Sequence, residues 1–174
     1  AVTKTFLHEE EDELISDDQL IAEISKLITQ KTGVLLGRSK KSMVSARVHK
    51  RAIQLGLESI QEYMHFLRKN AKTEISALTS LLTTHHTFFF REYAHFEYLS
   101  REGIARVVQN MRDRGESKLR IWSAASSRGQ ESYSIAMLLE HLYKDITDKP
   151  EYEILGTDID QLSVKMANNG VYHR

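Results

Sequence analysis

A strand-turn-helix junction at Leu119–Tyr133, LRIWSAASSRGQESY, constrains this 174-residue chain more than any other stretch. The apolar run at its start predicts a β-strand, the small residues 123–127 with Gly129 predict a turn, and the apolar positions after Tyr133 predict a helix. Free N–H groups at the start of such a helix face the crevice beyond the strand. That crevice is where open α/β sheets bind their ligands.

A second strand is predicted at Tyr152–Leu155, and it runs into Gly156, Thr157 and Asp158. An acidic residue at the tip of the second strand, one βαβ unit after the turn, is placed to accept hydrogen bonds from ribose hydroxyls. The junction therefore favours a nucleoside-bearing cofactor. Gly129 is the only glycine of the turn, so the GxGxxG fingerprint and the P-loop are both absent. Spacing alone fits a cofactor site and ordinary α/β packing equally well.

Before the first strand, the sequence pattern predicts helices and no strand. Apolar positions at helical spacing and capping residues predict four of them in residues 17–83: one capped by Asp17 or Asp18 and stopped by Gly33, one over Ser39–Leu55, one capped by Ser59, and one preceded by Thr73 and Ser76. A further helix of roughly Phe96–Gly115 would bury Ile104, Val107, Val108 and Met111, and Leu162–Asn169 predicts the last. The first four helices indicate a small all-α domain.

Charge is unevenly distributed, although the formal net charge is zero. Glu9–Glu23 holds eight acidic residues and no lysine or arginine, whereas Lys26–Arg51 holds eight basic residues and no acidic one. The second helix carries a cationic arc, named here the basic stripe: Lys40, Arg47, Lys50 and Arg51. These patterns fit two solvated faces with an acidic, flexible tail at residues 1–16, or a basic surface that meets an acidic partner. Nucleic acid is not favoured, since interleaved aromatics and reader motifs are missing.

Several classes of protein and site are disfavoured by composition. Without cysteine, neither a disulfide framework nor a thiolate zinc site can form. No apolar run approaches the roughly 20 residues that span a bilayer, and the first thirty residues are too acidic for a signal peptide. His85, His86 and His95 do not favour a metal site, because adjacent histidines on a helix point apart. We expect a soluble, cytoplasmic protein without membrane insertion and without a metal.

Two strands leave both edges of a parallel sheet open. The chain also begins without methionine. We therefore expect a fragment of a longer protein whose sheet continues past residue 174. Two such fragments are expected to be able to self-associate through these edges.

Four sequence blocks, in order, carry a resemblance: TTHHTFFFRE (Thr83–Glu92), WSAASSRGQESYSIAMLL (Trp122–Leu139), LGTDID (Leu155–Asp160) and ANNGVY (Ala167–Tyr172). Together they resemble the CheR family, the S-adenosylmethionine-dependent methyltransferases of bacterial chemotaxis receptors. The resemblance runs from about Asp17 to the end. It implies an α/β fold in which a small N-terminal all-α domain (17–83) and a linker that contributes to the cofactor site (84–94) precede the first half of a Rossmann-like class I methyltransferase domain (95–174), with the parallel sheet truncated.

The resemblance also implies S-adenosylmethionine as cofactor, with S-adenosylhomocysteine as product, and roles for individual residues. Arg91 would grip the methionine carboxylate with Thr87 beside it, Glu131 would receive the ammonium, Asp158 would take the ribose hydroxyls, and Ala124 with Ala125 would allow close backbone approach. His85 stands where the family commonly has asparagine, and Gln130 and Ser132 replace a glutamate and a proline. Histidine still offers a hydrogen bond, so His85 stays among the predicted cofactor-binding residues.

The implied activity is methyl transfer to glutamate side chains on the cytoplasmic helices of chemotaxis receptors. A glutamate near neutral pH is already a nucleophile, so positioning is sufficient and no residue is assigned as catalytic. We expect a monomeric full-length enzyme, and little or no activity from this chain alone. The alternative is a non-catalytic docking module whose basic stripe binds a receptor or a regulator. In both interpretations the stripe is the predicted receptor-binding surface.

Overall fold

A computed structural model describes residues 15–83 and 85–173 of the chain. Those residues form two compact units, of which the first ends at Ile75 and the second begins at Ser76. Most of the predicted acidic tail lies outside the described residues, and the domain limits drawn from the sequence stay predictions. No helix within the described ranges is long and apolar enough to cross a membrane.

The first unit is helical, as the sequence predicts. Its elements are α1 (Asp17–Thr32), a 3₁₀ turn (Arg38–Lys40), α2 (Lys41–Gln54), α3 (Ile60–Lys69) and the start of α4 (Ala71–Leu82). Gly33 ends α1 with a left-handed φ of 74°, and Ser59 caps α3, both as predicted. The predicted cap of α1 is wrong: Ser16 caps it, because Ser16 and Gln19 exchange hydrogen bonds in a capping box.

Apolar side chains at helical spacing build the core of the first unit. Its members are buried to within a few per cent of their surface: Leu20, Ile21, Ile24, Ile28, Val44, Val48, Ala52, Ile60, Tyr63, Met64 and Leu67. Each buried valine, leucine, isoleucine or methionine among them contributes roughly 1.5–3 kcal/mol through burial. On α2 the buried face consists of Val44, Val48 and Ala52.

The second unit contains the two strands. Its elements after α4 are α5 (Tyr93–Tyr98), a π-helical turn (Leu99–Gly103), α6 (Ile104–Asp113), β1 (Lys118–Ala124), α7 (Gln130–Leu142), β2 (Glu151–Thr157) and α8 (Gln161–Asn169). The single helix predicted over Phe96–Gly115 is thus three helical segments that begin at Tyr93. Ile104 and Met111 are buried, but Val107 is 45% exposed, because it lies at the edge of their arc.

The two strands pair in parallel, with Ile121 opposite Ile154. One face of the sheet packs on a core that is formed mainly from α5, α6 and α7: Phe96, Ile104, Met111, Leu119, Ile135, Leu139 and Tyr143. On the other face Trp122 is 69% exposed and Leu155 is 58% exposed. On this side α6 packs against β1 and α7 against β2. The short turn from Ala124 to Gln130 places the N-terminus of α7 at the end of β1.

Candidate cofactor-binding site

The turn after β1 is tightly bent. Ala125 and Ser127 have φ angles of 57° and 50°, in the left-handed region that non-glycine residues rarely adopt. Such strained positions concentrate at functional sites. The N–H of Ser126 donates to the carbonyl of Thr157 at 2.9 Å, so the end of β2 fixes the turn. Ala124 and Ala125 are exposed there, which leaves the backbone open to close approach.

Asp158 lies at the tip of β2, as predicted, and its carboxylate joins the two loops. One oxygen accepts the N–H of Ser127 at 2.7 Å and the other accepts the N–H of Asp160 at 2.8 Å. A carboxylate has about four acceptor positions, so both oxygens keep capacity for a ligand hydroxyl. The last helix, α8, begins with a capping residue close to Asp158. That role belongs to Asp160, whose side chain accepts the N–H groups of Leu162 and Ser163.

Glu131 stands in the first turn of α7 and is exposed to solvent. The hydroxyl of Ser123, which is buried near the end of β1, donates to Glu131 Oε1 at 2.7 Å. This hydrogen bond ties the carboxylate to the strand and limits its rotamers. A negative side chain therefore borders the turn at a fixed place.

Arg91 is displayed by a strained loop that is anchored on α7. Phe90 and Glu92, its neighbours, have φ angles of 55° and 57°. The N–H of Phe90 donates to Ser134 Oγ of α7 at 2.9 Å, and the Phe90 ring packs edge-on against Phe96 in the core. The Arg91 side chain is half exposed, and its Nη1 donates to a carbonyl of the same loop at 2.8 Å. The loop of the cation and the anion Glu131 thus share one supporting helix.

His85 contacts residues of α4 and of the loop before α8. Its Nε2 lies 2.7 Å from the carbonyl oxygen of Ser80 and 3.1 Å from Thr83 Oγ1. Its Nδ1 lies 3.5 Å from the carboxylate of Asp160. These contacts connect the end of α4 with the start of α8, so the structure gives His85 a bridging position. Its contact with a cofactor stays a prediction, as does that of Thr87, which is partly buried in the same loop.

Three buried polar atoms around the turn are without a hydrogen-bond partner in the described part of the chain: Ser127 Oγ, Gln130 Oε1 and Ser132 Oγ. Buried polar groups are normally satisfied, so this cluster indicates a place where a polar ligand or water completes the bonding. Local sequence spacing does not identify these atoms, because it does not show which polar groups become buried. The backbone of Gly156 packs closely against one of these atoms, since a Cβ at Gly156 would lie 2.9 Å from Ser132 Oγ.

The residues around the turn fit S-adenosylmethionine. Its amino-acid end needs a cation and an anion, and its ribose needs an acceptor. Arg91, Glu131 and Asp158 carry those charges, and the unsatisfied hydroxyl and amide oxygens add hydrogen-bonding capacity.

One residue of the basic stripe, Arg51, forms an ion pair with a buried carboxylate of the first unit. Arg51 makes a bidentate ion pair with Glu74, through Nε at 2.9 Å and Nη2 at 2.8 Å, and Glu74 is buried. The hydroxyl of Tyr63 also donates to Glu74, and burial together with this carboxylate raises the pKa of Tyr63. Arg51 therefore has a structural role in the first unit, and its part in receptor binding stays a prediction. Lys40 and Lys50 are exposed, and Arg47 is partly buried.

Comparison with known proteins identifies the family. The model of the CheR methyltransferase all-alpha domain matches residues 19–83, and that of the CheR methyltransferase SAM-binding domain matches residues 85–174. A chemotaxis protein methyltransferase of Borreliella burgdorferi is 30% identical over 91% of this chain and 56% of its own length. A probable chemotaxis protein methyltransferase of Rhizobium etli is 38% identical over 84% of this chain and 54% of its own length. The Escherichia coli chemotaxis protein methyltransferase is 34% identical over 91% of this chain and 52% of its own length.

The chain spans about half the length of these curated relatives. The family model of the SAM-binding domain alone covers more than half of the chain, and it includes Arg91, Glu131 and Asp158. The chain therefore belongs to the CheR methyltransferase family, and its cofactor is S-adenosylmethionine.

Proposed function

We propose that this chain takes part in methyl transfer from S-adenosylmethionine to glutamate side chains of chemotaxis receptors. The observation that carries the proposal is the arrangement around the turn after β1. An anion on α7, a cation on a loop anchored to α7 and a carboxylate at the tip of β2 provide complementary groups for the two ends of the cofactor. The names of the relatives, which are chemotaxis protein methyltransferases, support the choice of substrate.

The cofactor supplies a methyl group on a positively charged sulfur. Arg91 and Glu131 would hold its amino-acid end and Asp158 its ribose, so that the sulfonium between them has a fixed position. The acceptor glutamate is ionised near neutral pH, since its ordinary pKa is about 4.3. Its carboxylate oxygen would take up the methyl group as the cofactor's carbon–sulfur bond breaks, leaving S-adenosylhomocysteine, and no proton would need to move. Alignment of carboxylate, carbon and sulfur then provides the main acceleration.

The test uses radiolabelled S-adenosylmethionine, the 174-residue chain, a full-length relative as positive control, and a purified receptor cytoplasmic domain. We expect the chain to bind S-adenosylhomocysteine in titration calorimetry and to transfer label slowly or not at all by itself. Label released by mild base would identify a carboxyl methyl ester. A folded chain with no affinity for either form of the cofactor would contradict the proposal.

A second candidate function is docking without catalysis. It is favoured by two exposed lysines of the first unit, Lys40 in the 3₁₀ turn and Lys50 in α2. Such a module would bind the receptor domain but give no heat with S-adenosylmethionine or its product. The same calorimetry therefore separates the two functions.

A further inference from the structure

Tyr172 joins three segments of the second unit. Its hydroxyl donates to the carbonyl oxygen of Arg128 at 2.6 Å. Its ring meets Phe89 edge-on, with ring centres 5.0 Å apart, and it meets Tyr133 in the same manner at 5.7 Å. Edge-to-face pairs at these separations are attractive. One side chain from the segment after α8 therefore contacts the loop before α5, the turn after β1 and the first part of α7.

The three partners of Tyr172 are close in sequence to the residues assigned to the cofactor's amino-acid end. Phe89 precedes Arg91 by two positions. Arg128 precedes Glu131 by three positions, and Tyr133 follows it by two. These three contacts of Tyr172 are with neighbours of Arg91 and Glu131 along the chain and not with the two charged residues themselves. Tyr172 thus contacts the backbone and the rings that support both charged residues.

Close packing leaves the turn little freedom to move relative to Tyr172. A Cβ added at Gly129 would lie 2.9 Å from the Tyr172 hydroxyl and 2.8 Å from the Ala167 Cβ. Gly129 also has a φ of 91°, which favours glycine there. The hydroxyl of Tyr133 donates to the carbonyl of Ala167 at 3.0 Å, so α7 and the end of α8 are connected a second time.

We propose that Tyr172 is a positioning residue for the methionine end of S-adenosylmethionine. It holds the Arg91 loop and the Glu131 turn in one arrangement and does not touch the cofactor. This inference rests on the proposed roles of Arg91 and Glu131. The nucleoside end depends on Asp158, whose hydrogen bonds go to Ser127 and Asp160 and do not involve Tyr172.

Two ligands separate positioning from general stability. S-adenosylhomocysteine contains the amino-acid end, whereas 5′-methylthioadenosine has the same nucleoside without it. A tyrosine that only stabilises the fold would change both affinities together. A tyrosine that positions Arg91 and Glu131 would change the first affinity and leave the second.

The experiment measures both dissociation constants for the 174-residue chain and for Tyr172→Ala. We expect the substitution to raise the dissociation constant of S-adenosylhomocysteine about tenfold, which corresponds to the loss of one hydrogen bond and an aromatic pair. The dissociation constant of methylthioadenosine should change less than about twofold. Tyr172→Phe keeps both ring contacts and loses only the bond to Arg128, so it should restore part of the affinity. Tyr152→Phe, which removes a tyrosine hydroxyl that bonds Glu140 elsewhere in the same unit, is the matched control and should change neither ligand.

Equal weakening of both ligands, or of neither, by Tyr172→Ala would overturn the inference. If Tyr172→Ala does not fold, the decision passes to Tyr172→Phe, for which an unchanged ratio of the two dissociation constants is the contrary result. If the unsubstituted chain binds neither ligand, the proposed function fails with it. A chain that prefers S-adenosylhomocysteine, and keeps that preference in the variants, contradicts the role of Tyr172 alone.

Discussion

The carboxylate of Asp158 accepts the backbone N–H of Ser127 at 2.7 Å, so the tip of β2 closes the turn that follows β1. Ser127 has a left-handed φ of 50°, and this hydrogen bond helps to hold it there. The residue expected to bind ribose is therefore also part of the support of the turn. Substitutions at this position have two effects, which ligand comparisons can separate.

Arg91→Ala should weaken the binding of S-adenosylhomocysteine by about 1.5–3 kcal/mol, the range for a hydrogen bond to a charged group. Its side chain is half exposed and bonds only its own loop in the contacts described, so we expect the fold to persist. Titration calorimetry measures the change, and Arg106→Ala on α6 is a control of equal charge. Methylthioadenosine should bind the Arg91→Ala variant and the original chain with equal affinity. Unchanged affinity for S-adenosylhomocysteine would remove Arg91 from the site.

Asp158→Asn should weaken both S-adenosylhomocysteine and methylthioadenosine, because each contains the ribose. We expect a loss of about 1–2 kcal/mol for each ligand. Asparagine has one acceptor oxygen where Asp158 uses two, so the melting temperature should fall by a few degrees as well. If the melting temperature falls while both affinities stay constant, Asp158 only closes the turn.

Asp160→Asn should lower stability in a pH-dependent manner. Burial opposes ionisation of Asp160, but hydrogen bonds from Ser163 and Ser80 and from the backbone of Ser163 and Leu162 prevail, and its pKa lies below the ordinary 3.8. A pKa lower in the folded state stabilises the fold above the ordinary value, and this contribution disappears as the pH falls through the folded value. The variant should be less stable by about 1 kcal/mol near pH 7 and approach the original below pH 3.8.

Urea denaturation across this pH range measures the difference for Asp160→Asn. His85 faces Asp160 at 3.5 Å. A parallel comparison in a His85→Asn background isolates the carboxylate. A stability difference that stays constant from pH 7 to pH 3 would show that ionisation of Asp160 does not stabilise the fold.

Arg51→Ala should destabilise the first unit by about 3 kcal/mol, because it leaves the Glu74 carboxylate buried without its cation. The neighbouring Lys50→Ala removes an exposed charge and should stay within about 0.5 kcal/mol of the original. Thermal denaturation followed by circular dichroism compares the two variants. Equal melting temperatures would mean that Glu74 is satisfied without Arg51.

Reversal of Lys40 and Lys50 to glutamate should slow association with a receptor cytoplasmic domain, because these lysines are the exposed part of the basic stripe. Arg51 is excluded from this variant, since a glutamate there would face Glu74. The original protein should associate more slowly as salt rises. Lys26 and Lys31 of α1, reversed together, form a control with the same change in charge. If both double variants associate equally fast at low salt, the stripe is only a solvated face.

Local patterns were sufficient for the order of the main elements and for much of the site. An apolar run predicted β1, small residues predicted its turn, and apolar positions at helical spacing predicted α7, since such signals act over a few neighbours. The strand pattern placed Asp158 at a strand tip, and the resemblance placed Glu131 beside the turn, where the structure has them. The cap of α1, the π-helical turn and the exposure of Val107 were missed, because several local choices there differ little in energy.

The sequence by itself determined which residues are helical, which are extended, and where a negatively charged tip follows a small-residue turn. Only the tertiary structure decided the partners that are distant along the chain. It joined Arg51 to Glu74, His85 to Asp160 and Tyr172 to Arg128. The physical reason is that hydrophobic periodicity specifies which face of an element is buried but not what lies opposite it. The pairing of polar groups follows from packing, since a buried donor or acceptor must find its partner among the groups that packing brings near.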